Sequence, residues 1–211
     1  MDWNRLLRVA RATELRGPAP AELQAAVVLP DETRGFAPVR LDSFVRGRAA
    51  AILALGELGV EPGSLAIGAR GAPAWPRGVV GSITHDDEVA VAAVALDREL
   101  RGVGIDTQLV TDEPHDTVAL VATDEELSRI APCPRRARFT VAFSAKESLY
   151  KCLAPTVGAF FGFEDARVLE ASAERVRLRL ERTLHPALPA GALFDVRWAL
   201  EDARVRSALE W

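Results

Sequence analysis

The residues with the widest chemical reach are gathered in Phe143-Ser-Ala-Lys-Glu-Ser-Leu-Tyr-Lys-Cys-Leu153. The chain has 26 basic residues but only two lysines, Lys146 and Lys151, and both fall here. Elsewhere positive charge is arginine, a flat fork suited to carboxylates and phosphates, whereas lysine is a compact point charge on a flexible stem. Glu147 and Lys151 are i and i+4, so a helix places them on one face about a turn apart. A carboxylate and an ammonium so placed could hold a metal and a phosphate together. The same pair is also an ordinary surface ion pair worth roughly 0.2–0.5 kcal/mol. Ser144-Ala-Lys-Glu147 fits a capping box that would start a helix. Against a cap, the apolar positions Phe139, Ala142, Phe143, Tyr150 and Leu153 run straight through the serine.

Other candidates lie upstream. Asp106 ends an extended run containing Gly102 and Gly104, where glycine permits close approach by another backbone or a ligand. A carboxylate there is either a turn former or, paired in space with Glu147, half of a magnesium site, since magnesium takes one or two carboxylates together with waters and phosphate oxygens. Ser82 and His85 stand near another strand end, with no nucleophile-elbow pattern around the serine. Arg40, Arg46 and Arg48 cluster where a helix begins, and the simplest expectation for them is a solvated helix end.

These residues need a folded frame, and 211 residues suffice for one large domain or two small ones. Hydrophobic residues at 49% and charged residues at 27% are globular proportions. A formal net charge of −4 argues against a general nucleic-acid coat or an anionic-membrane binder. Cys133 and Cys152 are too few for a disulfide framework or a zinc site. With no bilayer-length apolar run and no signal-peptide pattern, the expected compartment is the cytoplasm.

Periodicity and breakers supply the elements. A short helix is expected over 3–14, a weak apolar segment over 20–27, and a strong helix from Leu41 to Leu58 ended by Gly59. Residues 64–67 suggest a strand, and Gly68 to Pro76 must be irregular. Extended runs at 79–85, 89–95 and 101–106 are joined by short breaks, which favours an antiparallel meander. Helices near 113–121, 123–131 and 135–153 are followed by strands near 166–171, 174–181, 193–200 and 203–209. Arg175-Val-Arg-Leu-Arg-Leu-Glu181 alternates as a half-exposed strand should. Helix followed by meander, twice, predicts an α+β fold of two similar halves.

Gly71-Ala-Pro-Ala-Trp-Pro-Arg-Gly-Val-Val-Gly-Ser-Ile-Thr-His85, Gly102-Val-Gly-Ile-Asp106 and Phe143-Ser-Ala-Lys-Glu-Ser-Leu-Tyr-Lys151 resemble, in order and spacing, the three motif regions of 4′-phosphopantetheinyl transferases. The likeness is to the Sfp-like class, of the enterobactin-synthase component D type. Arg40-Leu-Asp-Ser-Phe-Val-Arg-Gly-Arg48 and Val157-Gly-Ala-Phe-Phe-Gly-Phe163 also resemble segments of that group, so the likeness spans roughly 35–170. It implies a pseudo-twofold pair of halves, each a helix-packed antiparallel sheet, with the active site in the cleft between them. It implies boundaries of 1–104 for the half contacting coenzyme A phosphates and 105–211 for the half with the metal and the catalytic helix. It implies transfer of the phosphopantetheine arm of coenzyme A to a serine of an acidic acyl or peptidyl carrier protein, releasing adenosine 3′,5′-bisphosphate.

By the same resemblance Asp106 and Glu147 hold magnesium, Lys151 steadies the phosphates, and Glu147 or a water it orients is the base. Arg40, Arg48, Arg70, Pro76, Ser82 and His85 contact coenzyme A. Gln108 stands where many relatives carry a second acid and is expected to reach the metal through water. Lys146, on another azimuth of the helix, is expected to be structural, and Arg135, Arg136 and Arg138 are candidates for carrier docking. A monomer acting without nucleic acid or membrane completes the expectation. Two other readings stay open: a non-catalytic coenzyme A or carrier-binding module of the same fold, and a serine hydrolase built on Ser82 and His85.

Overall fold

The computed structural model describes residues 3–68, 71–111 and 115–211. The chain divides into two compact units. One runs from Leu7 to Val103 and takes in Glu210–Trp211; the other takes in Gly104–Leu209 and the first residues as far as Leu6. No helix among the described residues is long and apolar enough to cross a membrane.

The first unit holds strand β1 (Arg11–Arg16), the short helix α1 (Ala21–Ala26), the long helix α2 (Pro38–Glu57), and strands β2 (Val79–His85) and β3 (Val89–Leu96). The three strands form an antiparallel sheet ordered β1-β3-β2. Pro38 sits at the first turn of α2, where its missing N–H costs nothing. The helix then lays Ala50, Ala51, Ala54 and Leu55 against Ala92 and Val94 of β3, all of them fully buried. Small side chains on both partners let helix and sheet approach closely at interior packing density. Gly47 and Gly81 extend this fit: a Cβ on Gly47 would meet Ile83 at 2.9 Å, and one on Gly81 would meet the Trp75 ring at 2.7 Å.

The second unit is built on a five-stranded antiparallel sheet ordered β4-β8-β7-β6-β5. Its strands are β4 (Val103–Leu109), β5 (Ala166–Ala171), β6 (Arg175–Leu180), β7 (Leu193–Glu201) and β8 (Arg204–Glu210). Helices α3 (His115–Val121), α4 (Asp124–Arg129) and α5 (Arg138–Val157) precede β5. Thr123 and Glu126 form a full capping box at the start of α4. The inner face of α5 carries Val141, Ala142, Ala145, Leu149, Cys152 and Leu153, all fully buried. Val176, Leu178 and Leu180 alternate inward along β6, as the sequence pattern predicted. Gly158, at φ 68°, ends α5 in the left-handed conformation that favours glycine.

The α+β class and most elements match the sequence reading, and three expectations do not. Residues 3–14 are not a helix: a 3-10 turn at Trp3–Arg5 leads into β1, which pairs with β3. The backbone N–H groups of Arg8, Val9 and Ala10 donate to the Glu210 carboxylate at 2.8–2.9 Å, so donors a helix would use internally are committed elsewhere. Residues 64–67 give only an isolated bridge between Ile67 and Pro73. The strand expected at 101–106 does not continue the meander. Both edges of β3 are taken by β1 and β2, and β4 pairs with β8 instead.

Candidate active site

The site in the second unit starts from how closely β4 lies on α5. A Cβ on Gly104 would stand 1.9 Å from the Ser148 carbonyl oxygen and 2.7 Å from the Cys152 nitrogen. No other residue fits, because the obstacle is helix backbone. The glycine seen in the sequence thus serves a backbone approach. Two residues on, the pleat presents Asp106 on the same side as Gly104. Lys151 donates to Asp106 Oδ1 at 2.8 Å and to the Ile105 carbonyl at 3.2 Å. Asp106 is buried and Lys151 half-buried.

Buried polar contacts fix the register of α5. Ser144 and Ser148 lie 2.8 and 2.7 Å from the Ser207 hydroxyl of β8, and that hydroxyl donates back to the Ser144 carbonyl at 2.8 Å. Ser144 is therefore a mid-helix anchor and no cap. Lys146 donates to the carbonyls of Val121 and Phe163 at 2.7 and 3.1 Å and pairs with Glu126 at 2.9 Å. Its role is structural, as its azimuth predicted. Burial pushes the Glu126 carboxyl up, but backbone N–H donors from Thr123 and Val168, with Lys146, outweigh it and hold the group below its ordinary value.

Glu147 projects between these anchors. Burial raises its carboxyl above the ordinary value; Lys151 pulls it down and Asp106 pushes it up. It opens onto a cavity of about 200 Å³ lined with Tyr150, Phe160, Phe161, Gly162 and Phe163. Tyr150 meets Phe161 at 4.9 Å and Phe160 at 5.9 Å between ring centroids. Sequence reasoning gave this aromatic wall no role. The available signal was composition: of eight Phe and one Tyr, six rings fall between Phe139 and Phe163.

This donor set fits a hard divalent cation. The two carboxylates, whose charges oppose each other, face one ammonium and would be the ligands, while Gln108 Nε2 donates to both Asp106 oxygens at 3.1 and 3.4 Å and so holds that carboxylate without itself offering a ligand atom to a cation. Gln108 lies on the same face as Asp106, as strand alternation requires. Among the described residues no cluster of three His, Cys, Asp or Glu forms a closed cage. Magnesium needs none, because it keeps waters and shares phosphate oxygens with one or two carboxylates.

The remaining candidates lie in the first unit. Arg46 and Arg48 are buried, not solvated as expected. Arg46 donates to Asp42 at 2.7 Å and to the Asp86 carbonyl at 2.9 Å. Arg48 donates through Nε to the Leu65 carbonyl at 2.7 Å and lies over the Phe44 ring at 4.5 Å. No carboxylate among the described residues pairs with it, and burial alone lowers its pKa to about 10. Arg40 is exposed and lies over Phe36 at 4.0 Å. Ser82 and His85, three apart in β2, lie on opposite faces of the sheet, the serine buried and the histidine exposed. A serine–histidine dyad is thereby excluded within that strand. Pro76 is half-buried and its carbonyl accepts from Val79 at 3.1 Å. Arg70 lies outside the described residues.

Comparison with known families accounts for both units. Residues 18–95 match the family model described as the 4′-phosphopantetheinyl transferase N-terminal domain, and residues 102–200 match that of the 4′-phosphopantetheinyl transferase superfamily. The chain is 34% identical over 196 residues to a 4′-phosphopantetheinyl transferase of Streptomyces mobaraensis, covering 87% of this chain and 78% of that protein. It is 34% identical over 185 residues to one of Nocardia iowensis, covering 82% of each. Against enterobactin synthase component D of Salmonella typhi it is 33% identical over 156 residues, 71% of this chain and 63% of the other. The chain belongs to the 4′-phosphopantetheinyl transferase family. It is a transferase of the kind that moves phosphopantetheine from coenzyme A to carrier proteins.

Proposed function

We propose that Asp106, Glu147 and Lys151 form the reacting centre, with magnesium held by the two carboxylates and reached by Gln108 through water. The observation that carries this is the Gly104 approach, which sets Asp106 against Lys151 one helical turn from Glu147. When bound, magnesium neutralises diphosphate charge and the charge that develops on the leaving oxygen. Lys151 steadies the phosphates from the flank. The acceptor serine oxygen forms the new bond to the phosphorus carrying the pantetheine arm, and the bond from that phosphorus to the bridging oxygen breaks. Adenosine 3′,5′-bisphosphate leaves with the bridging oxygen. The raised carboxyl of Glu147, or a water it orients, accepts the serine proton.

We assign Arg48, a buried cation without a carboxylate partner among the described residues, to the 3′-phosphate, and the exposed Arg40, about two turns earlier on α2, to the same group. Arg70, Pro76, Ser82 and His85 complete the proposed coenzyme A contacts, and residues 1–104 supply all of these. The acceptor is an acidic acyl or peptidyl carrier domain of siderophore, polyketide or nonribosomal peptide synthesis. The exposed Arg135 and Arg136 are its proposed docking charges, acting on a single copy of this chain.

The test is intact mass of apo-carriers after incubation with coenzyme A, magnesium and the protein. A phosphopantetheine mass gain is expected, and it should vanish in Asp106→Ala and Glu147→Ala variants that remain folded. Near-normal turnover by either variant at saturating magnesium would remove that residue from the reacting centre.

A further inference from the structure

The start of α2 carries an ordered stack of cations and rings. The Arg40 guanidinium lies over Phe36 at 4.0 Å, the rings of Phe36 and Phe44 meet edge-on at 6.2 Å and 75°, and the Arg48 guanidinium lies over Phe44 at 4.5 Å. Phe44 also packs on the apolar cluster of Ala19, Val27 and Ala49, so one ring joins the core to a buried cation. Arg48 is only 6% exposed. Its Nε is committed to the carbonyl of Leu65, a residue held at φ 43° in the left-handed region that leucine rarely adopts.

A buried cation needs compensation. A carboxylate would supply it but would occupy the N–H donors of the guanidinium fork and compete with any incoming anion. An aromatic face compensates charge without accepting those N–H groups. Arg46, two residues earlier, shows the alternative: it is tied to Asp42 and to a backbone carbonyl. With one edge of Arg48 on Leu65 and one face on Phe44, no hydrogen bond from its two terminal nitrogens is made among the described residues.

We propose that Phe44, with Phe36, is a positioning residue that holds Arg48 and Arg40 open for a dianionic phosphate monoester. This rests on the assignment of Arg48 to the 3′-phosphate of coenzyme A. The stack fixes the arginines before the ligand arrives, so its contribution falls on the monoester and on no other part of the molecule.

The experiment measures equilibrium binding of coenzyme A and of dephospho-coenzyme A, which lacks that monoester, to the full-length wild-type, Phe44→Leu, Phe44→Trp and Arg48→Ala proteins. Phe44→Leu should lower the preference for coenzyme A about fivefold while leaving dephospho-coenzyme A binding unchanged. Phe44→Trp, which returns an aromatic face to the Arg48 guanidinium, should restore the preference. If Phe44→Leu does not fold, Phe36→Leu, outside that apolar cluster, gives the same reading through Arg40. An equal loss for both ligands, or an unchanged preference where Arg48→Ala lowers it, overturns the stack and leaves the phosphate assignment standing. An unchanged preference in Arg48→Ala overturns the assignment itself, and the stack with it.

Discussion

Gly104→Ala puts the central geometric claim at risk. The added Cβ would stand 1.9 Å from the Ser148 oxygen, 2.7 Å from the Cys152 nitrogen and 2.9 Å from the Cys152 Cβ, where real Cβ contacts essentially never fall below 3.0 Å. Two of the three obstacles are backbone atoms, so no rotamer change relieves them. β4 and α5 must separate by about 1 Å, against the Lys151 contacts to Ile105 and Asp106 and the serine anchors to β8. Overpacking of this severity costs about 3 kcal/mol. In a chain of this length that lowers Tm by roughly 6–12 °C. The same displacement moves Asp106 off Lys151 and away from Glu147, and a misplacement of about 1 Å costs on the order of a hundredfold in rate.

Thermal unfolding and carrier mass gain, at saturating magnesium and coenzyme A, read the two effects separately. The folded fraction of the variant should remain slow at temperatures where it is fully folded. A Tm within about 2 °C of wild type together with undiminished turnover would refute the reasoning. It would mean that β4 does not press on α5 and that Gly104 does not set the Asp106–Lys151 pair.

Lys146→Met leaves Glu126 buried beside carbonyls without its ammonium, and urea unfolding should show a loss of about 3–5 kcal/mol. Gln108→Glu should lower the magnesium concentration giving half-maximal rate, because a third carboxylate replaces an amide beside Asp106; an unchanged value would place residue 108 away from the metal. Glu147→Gln in metal-free buffer should raise Tm near neutral pH, because the folded state raises the Glu147 pKa and so penalises its ionised form. Folded protein then holds that proton more tightly than unfolded chain, its benefit is lost as pH rises through the shifted value, and the difference from Gln should close below the ordinary carboxylate range.

Legibility in the sequence followed the range of the interaction. α5 and β6 are written locally, one in apolar spacing at helical period and the other in alternating Arg and Val or Leu, and both were found where that pattern lies. β1 was not legible because its structure comes from remote partners: β3 for its ladder, and Glu210, some 200 residues away, for the donors that precede it. Asp106, Glu147 and Lys151 could be singled out as candidates because residue type and spacing mark them, whereas Gln108 was singled out only by the resemblance to the family. What Gly104 approaches could not be named, since a glycine permits contact without specifying a partner. Arg46 and Arg48 were misjudged for a similar reason. Arginines at a helix start read as solvated unless the carbonyls and rings that receive them are known, and Leu65, Asp86 and Phe44 meet them only in the folded chain.

The placement of both lysines on α5 has a donor-count explanation. An ammonium offers three N–H groups from one point, whereas a guanidinium spreads its donors in a plane. At Lys146 three acceptors converge from three segments, the Val121 carbonyl, the Phe163 carbonyl and the Glu126 carboxylate, and the three donors are consumed. That lysine ties the helix to its surroundings and has nothing left for a substrate. Lys151 donates to the Ile105 carbonyl and the Asp106 carboxylate, which consumes two. Its third donor, beside a half-exposed stem, is the one the proposed reaction uses on the phosphates. Arginine at the first position could not gather three convergent acceptors at one point. At the second it would spread its fork across both Asp106 oxygens, where Lys151 takes only Oδ1, and so would cover the carboxylate assigned to the proposed magnesium. One residue type therefore serves as anchor at one azimuth of α5 and, in the proposed reaction, meets the phosphates at another, and the number of donors already committed tells the two apart.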